Sequence, residues 1–142
     1  MKISTRGRYA LRVMIDLAEN DNGKYIPLKD IAERQDISQK YLESIVAELS
    51  KSGLVLALHG KGGGYKLSKA PSEYTVAEVL RVEEGDLAPI ECLAFNAKPC
   101  DRADNCRTLP MWEGLYKVIT EYLEGISLAD LAKLPVVDNW VI

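Results

Sequence analysis

A chain of 142 residues with 47% apolar and 27% charged side chains has a globular composition, suited to one domain or two small lobes sharing a core. That composition argues against disorder, a collagen-like repeat and low complexity, and at this size about 70% of the unfolded surface can be buried, so no disulfide staples are needed. The formal charge of −3 is unevenly spread: residues 1–70 hold 12 Lys and Arg against 8 Asp and Glu, whereas residues 71–142 hold 6 against 13. Such asymmetry points to a first half that meets a polyanion. No apolar run reaches the ~20 residues of a membrane helix. The basic start Met1–Arg8 leads into a stretch broken by charges, so no signal peptide is expected and the cytoplasm is the expected compartment.

Residues 4–20 place Ala10, Leu11, Met14, Ile15, Leu17 and Ala18 at helical period, and the run Asn20-Asp21-Asn22-Gly23 ends that helix. A short helix over 28–35 turns Ile31 and Ala32 inward. Asp36 follows in a tight connection, where its side chain tolerates left-handed backbone. Ser38 can cap a third helix to residue 51, with Tyr41, Leu42, Ile45, Val46 and Leu49 on one face. The second and third helices, with the short turn between them, form a helix-turn-helix candidate. After Gly53, the apolar strand Leu54–Leu58 and the strand Tyr65–Ser68 flank the loop His59-Gly60-Lys61-Gly62-Gly63-Gly64. Two short strands joined by glycines read as a β-hairpin. Three helices and a hairpin make a winged helix, and Lys61, Lys66 and Lys69 on that hairpin favour DNA.

Beyond Pro71, Thr75-Val76-Ala77-Glu78 opens a helix to about Glu84. Residues 85–109 show little period. Pro110 suits the first turn of a longer helix, along which Trp112, Leu115, Tyr116, Ile119, Leu123 and Ile126 share a stripe. Packing on the first helix would account for that stripe. Met111, Val118 and Tyr122 widen it, so a two-fold dimer interface is the preferred reading. Ser127-Leu128-Ala129-Asp130 begins a last short helix, which Pro135 stops. The fold class expected is mainly α with a small β-hairpin wing: a DNA-binding winged helix-turn-helix lobe over 1–70, then a dimerisation helix and cysteine-rich loop over 71–142.

On the third helix the inward apolar residues leave Gln39, Lys40, Glu43 and Ser44 as groove candidates, with Tyr41 at the boundary. Gln can pair with adenine, Glu can accept from cytosine, and Lys can donate to guanine or phosphate. In the wing, His59 or Lys61 could enter a narrow minor groove, with Gly60 allowing close approach. A phosphate-binding P-loop is excluded because its Gly-Lys-Ser/Thr spacing is absent.

Cys92, Cys100 and Cys106 fall within fifteen residues, and the other 127 positions hold no cysteine. A cytosolic chain rarely spends thiols on structural disulfides, so metal or redox chemistry leads. The C-x7-C-x5-C spacing departs from zinc fingers, which use C-x2-4-C. An iron–sulphur cluster takes several thiolates, and a polar loop can wrap it. His59 belongs to the wing, leaving Glu91, Asp101, Asp104, a partner subunit's residue or an exogenous thiol as possible fourth ligands.

The opening Ser4-Thr5-Arg6-Gly7-Arg8-Tyr9-Ala10 resembles the Rrf2 family of bacterial regulators. So do Leu28–Gln35 leading to Ile37-Ser38, Tyr41-Leu42-Glu43, the wing Gly60-Lys61-Gly62-Gly63-Gly64-Tyr65 and the cysteine segment. The resemblance covers essentially the whole chain. It implies a homodimeric winged-helix regulator of double-stranded DNA, not an enzyme, whose site preference changes with occupancy of a [2Fe–2S] cluster on Cys92, Cys100 and Cys106. Control of cluster-assembly genes is implied with it. Ser38, Lys40, Tyr41, Glu43 and Ser44 would then occupy the major groove and the wing tip the minor groove. Two departures stand out. His59 replaces the family's usual arginine, and Leu109 stands where the cluster-binding branch places a histidine. Arg8 stands where a nitric-oxide-sensing branch uses an acidic ligand. A thiol-redox or nitric-oxide sensor of the same fold is the alternative.

Overall fold

The computed structural model describes residues 2–98 and 100–134. Helix α1 (Thr5–Glu19) is capped by Ser4, whose hydroxyl accepts from the Gly7 N–H. Helix α2 (Leu28–Gln35) ends at Asp36, which is left-handed with φ 53°, as the tight connection requires. Helix α3 (Gln39–Lys51) starts at Ser38, whose hydroxyl accepts from the Tyr41 N–H at 3.1 Å and so satisfies an end donor of the helix.

Strands β1 (Val55–Leu58) and β2 (Gly64–Leu67) pair antiparallel, Val55 opposite Leu67 and Leu58 opposite Gly64. The hairpin is not free. Ile26, between α1 and α2, exchanges both backbone hydrogen bonds with Tyr65 at 2.8 Å. Gly64 permits that approach: with φ +151°, its Cα passes so near the Ile26 carbonyl that a Cβ would collide. The hairpin base is held by fully buried Tyr74. Its hydroxyl donates to the Leu54 carbonyl at 2.6 Å and accepts from the Ser68 N–H at 2.8 Å.

Helix α4 (Val76–Glu84) is capped by Thr75 and ends at Gly85. Two 3-10 turns, Glu91–Leu93 and Ala103–Asn105, precede helix α5 (Leu109–Glu124) and the short α6 (Leu128–Ala132). Pro135, expected to stop α6, lies outside the described residues. One apolar core joins Ala10, Val13, Met14 and Leu17 of α1 to Leu42, Ile45 and Leu49 of α3, and it continues to Tyr74, Val79 and Leu128. A smaller cluster gathers Val76, Ala77, Leu80 and Leu87, with Leu11 of α1 against it. Helix α1 therefore lies between the helix-turn-helix and the later helices. By contrast, α5 has no buried residue, and Val118 and Tyr122 are 62% and 67% exposed.

Asp16, only 1% exposed, is the buried charge of α1. It accepts from Arg34 Nε at 3.0 Å, Arg34 Nη2 at 2.8 Å and Gln35 Nε2 at 2.9 Å. The hydrogen bonds to Asp16 raise the guanidinium's pKa further against its partial burial, so Arg34 keeps its charge. Arg34→Ala would leave the buried carboxylate with the Gln35 amide and a long 3.5 Å contact from Asn20 Nδ2, and we expect a loss of about 2–3 kcal/mol in urea unfolding. An unchanged midpoint would show that Asp16 is satisfied without the guanidinium.

Candidate nucleic-acid interface and cysteine segment

The exposed face of α3 carries Gln39, Lys40, Glu43 and Ser44, with Tyr41 half-buried. A cleft of about 410 Å³ opens between α2, the start of α3 and the hairpin, and Lys29, Gln39, Glu43, His59, Gly60 and Tyr65 are among its lining residues. The fold thus brings Gln39 and Glu43 to the same cleft as His59 and Gly60. Lys29 joins them from the first turn of α2, a position that sequence pattern alone does not mark. Lys61 stands exposed in the wing loop.

The other groove candidates have local duties. The Ser38 hydroxyl is occupied as an acceptor by its capping bond. Tyr41 packs edge-on against Tyr9 of α1, with centroids 5.7 Å apart, and Arg12 lies 5.2 Å above the Tyr9 ring. Ser44 Oγ donates to the Tyr41 carbonyl at 2.9 Å and accepts from Arg6 Nη1 at 2.8 Å. Two wing lysines are also engaged internally. Lys66 Nζ sits 4.7 Å from the Tyr25 ring centroid, and Lys69 pairs with Glu78 at 3.0 Å. The charge of Lys69 is thus paired with Glu78 within the fold, whereas Lys66 keeps its charge over a neutral ring.

The cysteine segment is more structured than its lack of period suggests. Asp86, just after α4, accepts from the Ala88 N–H at 2.7 Å and the Phe95 N–H at 2.5 Å. The Tyr116 hydroxyl of α5 donates to the same carboxylate at 3.3 Å. These bonds, the one from Phe95 first, hold the Asp86 carboxyl below its usual pKa. Cys92 is exposed within the first 3-10 turn, Cys100 is exposed, and Cys106 is half-buried. Glu91, Cys92, Ala97 and Lys98 line a cavity of about 370 Å³.

Among the described residues no three Cys, His, Asp or Glu side chains converge as a metal site. The three thiols therefore share a segment without forming a preassembled centre. His59 lies in the wing cleft rather than beside them, and Leu109 offers no ligating atom at the start of α5. The donor chemistry nonetheless fits a thiolate-ligated group, since soft sulphur donors are all accessible on one segment. Cys106 Sγ lies 3.4 Å from Thr108 Oγ1. Hydrogen bonding from Thr108, side chain before backbone, lowers the Cys106 thiol pKa.

A recognition helix beside a tethered glycine-rich hairpin defines a winged-helix DNA-binding protein, of the class that regulates transcription. The family model described as "Rrf2: Iron-dependent Transcriptional regulator" matches residues 3–134, and the chain belongs to the Rrf2 family. The HTH-type transcriptional regulator IscR of Aliivibrio salmonicida is 38% identical over 141 residues, 99% of this chain and 80% of its own. That of Photorhabdus laumondii is 40% identical over 131 residues, 92% and 79% of the two chains. Among solved structures, CymR, titled the global cysteine regulator of B. subtilis, superposes with a TM-score of 0.74 at 36% identity, covering 93% of this chain and 96% of its own. IscR of T. potens gives 0.72 at 35%, covering 96% and 94%. The oxidized form of Staphylococcus aureus CymR gives 0.72 at 31%, covering 96% and 100%. These relatives are transcriptional regulators, not enzymes. Among the described residues no helix is long and apolar enough to cross a membrane.

The Thr108 contact yields a direct test in metal-free protein. Thr108→Val removes the hydroxyl beside Cys106, so alkylation of Cys106, followed by peptide mass spectrometry, is expected to shift to higher pH. An unshifted profile would remove Thr108 as the source of the lowered thiol pKa.

Proposed function

We propose that this DNA-binding regulator controls transcription through an iron–sulphur cluster, of the [2Fe–2S] type, held by Cys92, Cys100 and Cys106. It acts as a cytoplasmic homodimer on operator DNA. The observation that carries the reading is the placement of all three thiols on one segment that Asp86 ties to both α4 and α5. Kinship to proteins named IscR, and a family model described as iron-dependent, support it. Residues 1–70 supply the DNA-binding lobe and residues 71–142 the cluster and dimer functions, although the two share one core.

Gln39, Lys40 and Glu43 would read base edges in the major groove, with Ser38, Tyr41 and Ser44 seating the helix. His59, Gly60 and Lys61 would follow the adjacent minor groove. Glu43 is the discriminator: an unpaired carboxylate in a groove is costly, whereas a cytosine amine satisfies it. An iron–sulphur cluster bound by these thiolates would supply sensitivity to iron and oxidants. Ordering of the segment is transmitted by Asp86, which binds Phe95 on one side and Tyr116 on the other. The resulting shift in DNA affinity cannot exceed the cluster's differential affinity for the two arrangements.

Anaerobic purification with iron, acid-labile sulphide and visible absorption measured on one sample is the deciding experiment. Two irons and two sulphides per chain, lost in Cys92→Ala, Cys100→Ala and Cys106→Ala, are expected. Colourless, iron-free protein after reconstitution would instead favour a thiol-redox switch on the same fold. The accessible, acidified Cys106 and the likeness to CymR point to that second reading.

The unpartnered face of α5 gives the dimer its surface, since Met111, Val118 and Tyr122 are exposed together and such apolar patches mark interfaces. Two-fold pairing places two recognition helices on half-sites about one or more helical turns apart. Val118→Glu is expected to yield monomers in analytical ultracentrifugation. A variant that remained dimeric would place the interface elsewhere.

A further inference from the structure

The first turn of α1 is held by two successive carboxylates from the last turn of α4. Glu84 Oε1 accepts from the Ser4 N–H at 2.8 Å and from Ser4 Oγ at 2.6 Å. Gly7 makes room for it, because a Cβ there would strike that carboxylate. Glu83 takes Arg6: Nε and Nη2 each lie 3.2 Å from its Oε2. The same guanidinium reaches the recognition helix, Nη1 donating to Ser44 Oγ at 2.8 Å and Nη2 to the Ser44 carbonyl at 3.3 Å.

The two partners differ in freedom. The Glu83 side chain is 1% exposed and that of Arg6 is 35% exposed, so the carboxylate is fixed and the guanidinium stands at the solvent edge. Glu83 Oε1 is buried without a hydrogen-bond partner among the described residues, which leaves Arg6 as the cation that compensates this carboxylate. Burial, with Glu48 and Glu84 nearby, pushes the Glu83 pKa up, while Arg6 pulls it down. Ser44 lies one turn beyond Lys40 on the exposed face of α3, so Arg6 sits at the flank of the helix assigned to the groove.

A cation there has two possible destinations. Held by Glu83, its charge is cancelled and its fork braces the middle of α3. Released, it becomes a mobile guanidinium beside DNA, suited to any phosphate and carrying no sequence information. We infer that Glu83 is a specificity-determining residue: it withholds Arg6 from the DNA backbone and directs it to Ser44, favouring base reading over sequence-independent phosphate binding. This rests on the assignment of α3 as the recognition helix.

The probes are a 30-base-pair duplex of mixed sequence and a duplex enriched by the wild-type chain from a random pool. Their affinities are measured across a salt series for wild type, Glu83→Gln, Arg6→Gln and the double variant. Glu83→Gln keeps the side chain's shape but removes the charge that cancels Arg6. The salt slope on mixed duplex is expected to steepen by about 0.9, the value of one neutralised phosphate. The enriched-to-mixed affinity ratio is expected to fall roughly tenfold, the scale of one base contact.

The double variant is expected to recover the wild-type slope while the ratio stays low. Arg6→Gln alone is expected to lower the ratio at an unchanged slope, which keeps the test open if Glu83→Gln folds poorly. A slope flattened by about 0.9 in Arg6→Gln would show that Arg6 already contacts phosphate, overturning the inference. So would a Glu83→Gln protein with wild-type slope and ratio. Wild-type protein that bound neither duplex would remove the DNA-binding assignment itself.

Discussion

The recognition helix depends on a charge that is buried in a different helix. Asp16 lies in the apolar interior between Val13, Met14 and Leu17 in sequence, and a carboxylate there must be paired or be lost from the fold. Its partners, Arg34 and Gln35, are the last charged and last helical residues of α2. The Arg34 fork meets both carboxylate oxygens, a geometry that admits one approach direction. The end of α2 is therefore positioned against α1. One left-handed residue, Asp36, and one capping serine, Ser38, then carry that placement into α3. Arg12 repeats the constraint from the outside by donating to the Gln35 side chain and carbonyl. Gln39 and Glu43 face the wing cleft as a consequence of these contacts rather than of α3's own sequence.

Helix α1 also explains why the two halves of the chain are coupled. Its apolar stripe serves the helix-turn-helix on one side and Tyr74, Val79 and Leu128 on another. The carboxylates of Glu83 and Glu84 grip its first turn. A charge division near residue 70 is real in the sequence, but the hydrophobic core crosses it. Changes at the end of α4 are consequently felt at α3 through packed helices and through the Glu83–Arg6–Ser44 bridge, with no flexible linker to absorb them.

Much of this was legible in the sequence, for physical reasons that can be named. Helical period, serine and threonine caps and a glycine-rich turn are local signals, and they placed the helices and hairpin correctly. What escaped was polar burial. Asp16 at an inward position reads as a solvent-facing residue until Arg34 is known to reach it. Tyr74, in a turn, gives no sign that its hydroxyl anchors the hairpin. Lys66 and Lys69 count as DNA-facing charge by composition, and only the fold reveals their contacts with Tyr25, Glu78 and Tyr74. Ile26, too short a segment to read as a strand, ties the wing to the body. The 3-10 turns around Cys92 and before Cys106 have no period to reveal them. The apolar stripe of α5 was visible, yet period alone does not separate a core face from one left for a partner.

Asp86 is where these omissions meet. It follows the conformationally permissive Gly85, at φ +78°, and its single carboxylate serves the backbone of the cysteine segment and a tyrosine of α5. Leu87 anchors the start of the cysteine segment in the smaller apolar cluster, and beyond it the polar ties of Asp86 hold the chain. Gathering the thiols would reshape the segment that Asp86 ties to Tyr116. Such a rearrangement would act on α5 through Tyr116 and on the end of α4, where Asp86 follows Glu83 by three residues. The same few residues thus link the cysteine segment, α5 and the flank of α3.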